Sequence, residues 1–78
     1  MNDLEMNFPL FRKLSNGKRF YKILSATEFD EIQVIGSKSI KRKFEATQFP
    51  EMLLIQDIIE LLEPYHLSSE EEFRQFEL

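Results

Sequence analysis

One segment of the chain, Phe49 to Glu63, is long, apolar and unbroken, and its spacing predicts a helix. Pro50 suits the first helical position, where its missing N–H costs no hydrogen bond. Pro64 cannot continue a helix and biases the preceding residue away from helical angles, so we expect the helix to end near Leu62. The rest of the chain is predicted to fold around this helix.

The apolar residues of this helix cover roughly half of its cylinder at about 100° per residue. They are Met52, Leu54, Ile55, Ile58, Ile59, Leu61 and Leu62. Polar residues fill the opposite side, where Leu53 is the one apolar residue. Half a cylinder is wider than a helix needs for one contact surface, which leaves two interpretations. Either a sheet and a second chain segment enclose the arc, or part of it is free for a partner.

Two β-favouring runs precede the helix and flank Asn16-Gly17, the strongest short-range hairpin signal. A two-residue type I′ turn at this pair requires positive φ at both residues. It also fixes a register in which Leu10 faces Ile23 across the two strands. Neither face of this hairpin is cleanly apolar, so the hairpin alone does not indicate which side is buried.

A second strand pair follows, and its loop has two possible lengths. A two-residue loop at Gly36-Ser37 places Ile32 and Val34 with Lys41, whereas a three-residue loop at Ser37–Ser39 gathers more apolar residues on one face. Because register decides which face is buried, this sorting favours the three-residue loop. The core face of the sheet is then predicted to contain Tyr21, Ile23, Ile32, Val34, Ile40 and Phe44.

The C-terminal segment carries the signature of a short helix. Ser69 with Glu72 three residues later is a capping-box pattern, and Phe73 with Phe76 supplies one apolar face. The predicted fold class is therefore α+β: a four-stranded antiparallel meander sheet, packed on one face by a long helix, with a short C-terminal helix. Residues 1–78 form a single small domain, in which residues 1–7 are a frayed terminus or one helical turn.

Composition restricts the class of protein. The 78 residues include no cysteine, which excludes disulfides and thiolate metal sites. No signal peptide or membrane-spanning run is apparent, so we expect a cytoplasmic, soluble protein. Charge is unevenly distributed: residues 1–43 hold nine Lys/Arg and five Asp/Glu, whereas residues 44–78 hold one Arg and nine Asp/Glu. This acidic protein, with a net charge of −4, is thus electrostatically polar, which suggests charged partners.

Catalytic and ligand-binding motifs are scarce. The single histidine, His66, could in principle act with Ser68 or Ser69, but neighbours along a flexible segment do not form a preorganised pair. Consecutive glutamates on a helix point in different directions and cannot converge on one metal ion, and no phosphate-binding glycine motif exists. We therefore predict a protein that is not an enzyme and has no cofactor or metal.

Two surfaces are candidates for binding. The first is a basic sheet face that could receive an anionic partner: Phe11, Lys13, Phe20, Lys22, Lys41 and Lys43. The second is an apolar surface where the acidic C-terminal tail, residues 68–78, could dock on the core, or which a partner could cover. Its residues are Met52, Leu54, Leu61, Phe73 and Phe76. The acidic tail either packs on its own core or folds on a partner.

The leading hypothesis is a small non-enzymatic protein-interaction or regulatory module, which could form a homodimer. Its partner is an unidentified protein or a second copy, joined basic sheet to acidic tail. The alternative is a weak single-stranded nucleic-acid binder, since lysines can neutralise phosphates and phenylalanines can stack on bases. The acidic net charge weighs against that alternative.

Overall fold

The computed structural model describes residues 7–77 and has an α+β fold, with a five-stranded antiparallel sheet and two helices. The strands are β1 Leu10–Leu14, β2 Arg19–Ser25, β3 Glu28–Ile35, β4 Lys38–Glu45 and β5 Tyr65–Leu67, and the helices are α1 Phe49–Ile59 and α2 Glu70–Gln75. The sheet order is β4-β3-β2-β1-β5. The expectation that residues 1–7 are a frayed terminus or one helical turn lies outside the described residues except at Asn7, which belongs to no helix or strand.

The antiparallel meander is confirmed for β1 to β4, but the sheet has five strands rather than the predicted four. The three residues of β5 pair with β1, with His66 opposite Lys13. Three residues cannot display an alternating pattern, and β5 exists because Pro64 and the end of α1 return the chain beside an open strand edge. One further hydrogen bond, from the Ser15 N–H to the Pro64 carbonyl at 2.9 Å, secures this return.

The first hairpin has the predicted register but a different turn. Leu10 lies opposite Ile23, as expected. Of the two turn residues, Gly17 has positive φ, at 72°, and Asn16 does not, so the prediction of a type I′ turn is wrong. The Gly17 N–H donates to the Leu14 carbonyl at 2.9 Å, and the Asn16 side chain accepts from the Lys18 N–H at 2.8 Å. A side-chain hydrogen bond therefore supports the turn, and glycine alone takes the left-handed conformation.

The second hairpin contradicts the predicted three-residue loop. Ile35 lies opposite Lys38, so the loop is the two-residue alternative, and Gly36 has φ of 60°. The predicted core face is therefore wrong: Ile32 and Val34 lie on one side of the sheet, and Ile40 and Phe44 lie on the other. Sorting apolar residues onto one face selects the register only when a single face is buried. Here both faces are covered, so the criterion fails.

Two apolar clusters lie on opposite sides of the sheet. The first is between the sheet and α1 and contains Tyr21, Ile23, Phe29, Ala46, Ile55, Ile58 and Ile59. The second is between the sheet and α2 and contains Phe20, Ile32 and Phe73, with Phe11, Val34 and Phe76 against it. The prediction of a sheet packed on one face is thus wrong, because α1 and α2 cover opposite faces. The architecture has three layers, helix, sheet and helix.

Helix α1 starts where the sequence indicated and ends earlier. Gln48 is its N-cap, and the Glu51 side chain accepts from the Gln48 N–H at 3.1 Å. Backbone hydrogen bonds from Thr47 and Gln48 lower the pKa of Glu51. The helix has 11 residues and ends at Ile59 rather than near Leu62, because Leu61 adopts a left-handed conformation with φ of 61°.

The C-terminus of α1 is held by a residue of the sheet. The Arg12 guanidinium donates to the Ile59 carbonyl at 3.0 Å, and to the Phe11 carbonyl at 2.9 Å. Burial lowers the pKa of Arg12. A cation at the negative end of the helix dipole, bonded to a carbonyl that has no helical partner, fixes the position of α1 over β1.

Candidate interaction surfaces

The six residues of the predicted basic face do share one side of the sheet. The register pairs Phe11 with Lys22 and Lys13 with Phe20, and carries the same side across to β4. This side is not open, however, because α2 lies on it. Phe20 is buried, and Phe73 of α2 is 1% exposed.

Aromatic rings of the tail occupy the positions that a base or another planar ligand would need. The rings of Phe11 and Phe73 have centroids 5.9 Å apart, and those of Phe20 and Phe76 stack with centroids 4.9 Å apart. Such pairs contribute about 0.5–1.5 kcal/mol beyond the burial of their area. The aromatic part of the predicted surface is therefore engaged within the chain.

Carboxylates of the tail contact two of the lysines on the same face. Lys13 pairs with Glu72 at 3.0 Å, and Lys41 pairs with Glu77. The Ser39 hydroxyl donates to the Phe76 carbonyl at 3.1 Å, which anchors the end of the tail to β4. The charge complementarity that suggested self-association, basic sheet to acidic tail, is thus satisfied within one molecule.

The remaining two lysines of this face are placed differently. Lys43 lies 3.5 Å from Glu28 and 3.7 Å from Asp30 on the adjacent strand, and within residues 7–77 Lys22 has no ion pair. These exposed pairs contribute little individually, because solvent screens them. Together with the ion pairs of Lys13 and Lys41, the pairs of Lys43 neutralise most of the positive charge predicted for this face.

Hydrogen bonds to the tail carboxylates predict an acid-sensitive contact. Donation from Ser68, then from Lys13, lowers the pKa of Glu72, and donation from Lys41 lowers the pKa of Glu77. Because the folded-state pKa lies below the ordinary value of 4.5, this stabilisation is complete above pH 4.5 and is lost as the pH falls through the lower folded-state pKa.

We therefore expect the tail to loosen as the pH falls below 4.5, the ordinary pKa of these carboxyls. The measurement is an NMR titration that follows the ring resonances of Phe73 and Phe76. The control is the Glu72→Gln, Glu77→Gln double variant, in which the acid dependence of both rings should flatten. An unchanged dependence in this variant would contradict the assignment.

The second predicted surface does not exist as one surface. Phe73 and Phe76 pack against the sheet side opposite α1, and so cannot cover Met52 or Leu54. Met52 and Leu54 are two residues apart, which separates them by about 160° around the helix axis. Leu61 lies beyond the end of α1. The tail helix docks on its own chain, but on a different layer from the one expected.

A different apolar stripe, which the sequence pattern did not predict, is exposed on α1. Phe49, Met52 and Leu53 are 70%, 40% and 48% exposed. Gln56 and Glu60 continue the stripe at i+7 and i+11 from Phe49 and are joined by a 2.7 Å hydrogen bond. We call these five residues the outer stripe. Leu53, described from the sequence as the one apolar residue on the polar side, was the signal that it exists.

His66 lies at an open cleft of about 570 Å³, which Lys13, Glu63 and Tyr65 also line. The two serines named with it are engaged at the start of α2. Ser68 Oγ donates to Glu72 at 2.7 Å, and Ser69 Oγ accepts from the Glu72 N–H at 3.2 Å. The structure therefore brings neither hydroxyl to His66, and the absence of an enzymatic activity stays a prediction.

Residues 7–77 also lack two larger features. No group of three or more potential ligand residues in this range is arranged to hold a metal ion. No helix in the same range is long and apolar enough to cross a membrane. Comparisons with protein-family models, characterised proteins and solved structures find no match for this chain.

Proposed function

We propose that this chain is a non-enzymatic protein-interaction module whose binding surface is the outer stripe of α1. The observation that carries the proposal is the exposure of Phe49, Met52 and Leu53 at i, i+3 and i+4 on one helix face. Such spacing is typical of helices that insert apolar anchors into a partner. A contiguous exposed apolar patch rimmed by polar residues is characteristic of binding sites rather than of ordinary surface.

The charge around the stripe indicates the chemistry of the partner. Residues 44–73 contain no lysine or arginine, and the stripe ends at Glu60 with Asp57 and Glu63 nearby in the chain. A partner that buries this face must supply apolar groups for the stripe and cations for its rim. The partner is therefore a surface that is both apolar and cationic.

The alternative function, single-stranded nucleic-acid binding on the basic face, has less support. Phe11 and Phe20 contact tail phenylalanines, and two lysines pair with tail glutamates. Nucleic acid would have to displace α2 and expose the second apolar cluster. The outer stripe requires no such rearrangement.

Binding to a labelled amphipathic peptide of leucine and lysine tests the proposal. Fluorescence anisotropy at about 0.15 M salt, where the screening length is about 8 Å, should give saturable binding. Leu53→Lys should weaken it by about tenfold or more, equivalent to about 1.4 kcal/mol. Leu54→Lys is the matched control, on the opposite flank of the helix, and should bind as the wild type does. A peptide of scrambled order controls for net charge, and equal binding by both variants would refute the proposal.

A further inference from the structure

Helix α1 leaves one corner of its own sheet face uncovered. The residues there are Gln33, Ile35, Lys38, Ile40 and Arg42, which the register places on the α1 side of β3 and β4. Ile35 is 53% exposed and Ile40 is 42% exposed. We call these five residues the sheet corner. The α1 cluster extends to Phe44 on β4 but does not include Ile40.

The sheet corner is cationic as well as apolar. In the strand register, Lys38 lies opposite Ile35 and Arg42 lies opposite Glu31. Glu31 makes its ion pair with Arg19, and within residues 7–77 neither Lys38 nor Arg42 has a carboxylate at ion-pair distance. The corner therefore offers two exposed isoleucines and two cations that no described carboxylate neutralises.

These properties match those required of the partner of the outer stripe. The stripe is apolar with an acidic end, and the corner is apolar with cationic residues. The outer stripe and the sheet corner lie on the same side of the sheet, because α1 packs on that side and leaves the corner uncovered. A two-fold axis that brings this side against its copy can place each α1 on the sheet corner of the other molecule. Such an isologous contact occurs twice and closes the assembly as a dimer.

We infer that the partner of the outer stripe is a second copy of this chain, bound through its sheet corner. The inference rests on the proposed function and names its partner. A stable interface of ordinary size buries about 800 Å² on each side. That is about 15% of the 5415 Å² surface.

Charge reversal on one patch at a time tests the inference. The corner variant is Lys38→Glu, Arg42→Glu, and the stripe variant is Gln56→Lys, Glu60→Lys. In either variant alone, both contacts of the dimer join like charges. In a mixture of the two, one contact has the wild-type charges and the other has them exchanged, so attraction returns.

Sedimentation equilibrium from about 10 µM to about 1 mM covers the range in which a marginal interface dissociates. The wild-type mass should rise from 9.4 kDa towards twice that value. Each variant alone should stay at 9.4 kDa, and the equimolar mixture should regain the mass of a dimer. Ile40→Thr, which keeps a strand-favouring residue, should weaken the dimer without altering any charge. Circular dichroism establishes that each variant is folded.

Three outcomes would overturn the inference. A wild-type chain that is monomeric at the highest concentration shows that the cations only protect the β4 edge from aggregation. A stripe variant that still dimerises, while the corner variant does not, indicates pairing of β4 edges without α1. If the mass of the equimolar mixture does not exceed that of its components, the two patches do not attract each other by charge. If the wild type stays monomeric yet binds the cationic peptide, the homodimer fails and the proposed function stands.

Discussion

Replacing Phe73 with alanine is expected to destabilise the protein by about 3–5 kcal/mol, the usual cost of removing a buried phenylalanine. Phe73 is 1% exposed and joins α2 to Phe20 and Ile32 in the second apolar cluster. A domain of 78 residues has a total stability of roughly 4–12 kcal/mol. This one substitution therefore removes a large part of the free energy of unfolding, and urea denaturation followed by circular dichroism measures it.

Phe49→Ala is the matched control for this substitution. It makes the same chemical change in a helix of the same chain, but Phe49 is 70% exposed. At concentrations below those at which the chain dimerises, we expect a change in the free energy of unfolding within about 0.5 kcal/mol, the range for surface substitutions. Similar costs at Phe49 and Phe73 would mean that α2 does not pack on the sheet as described.

Replacing Ile55 with alanine is expected to cost about 2–5 kcal/mol. Ile55 is fully buried between α1 and the sheet, so its truncation leaves a cavity in the first apolar cluster. The measurement is again urea denaturation, with the midpoint and the slope analysed separately. A shift of the midpoint at constant slope reports a change in stability alone.

The neighbouring residue Leu54 provides the control for Ile55. The Leu54→Ala variant removes a side chain of equal size from the adjacent position, but that side chain is 38% exposed. We expect it to cost clearly less than Ile55→Ala, about 1 kcal/mol or below. The sequence groups both residues in one apolar arc, so a large difference between them would locate the buried part of that arc. Equal costs would contradict the placement of α1.

Local chemistry allowed the sequence to predict much of the fold. The start of α1 follows from Pro50, the start of α2 from Ser69, and the register of the first hairpin from Asn16-Gly17. Each of these signals acts within a few residues, through a fixed φ, a capping hydrogen bond or a tight turn. Such signals do not depend on what covers the element later.

The candidate surfaces depended on contacts between distant residues, and there the sequence was a poor guide. The basic face was correctly grouped, but its cover was not foreseen, because α2 reaches Phe20 from more than 50 positions along the chain. The early end of α1 at Ile59 involves Arg12, 47 residues away, whose side chain binds the last helical carbonyl. Neither contact leaves a periodic signal in the sequence.

The sequence by itself determined the α+β class, the four-stranded meander, the two helix starts and the separation of charge. Only the tertiary structure decided that the helices lie on opposite sides of the sheet, that the tail neutralises the basic face, and that the outer stripe and the sheet corner remain open. The physical reason is that apolar periodicity identifies which residues are buried together along one element. It does not identify which of two sheet faces buries them, and in a sheet covered on both sides the apolar residues of the second hairpin need not gather on one face.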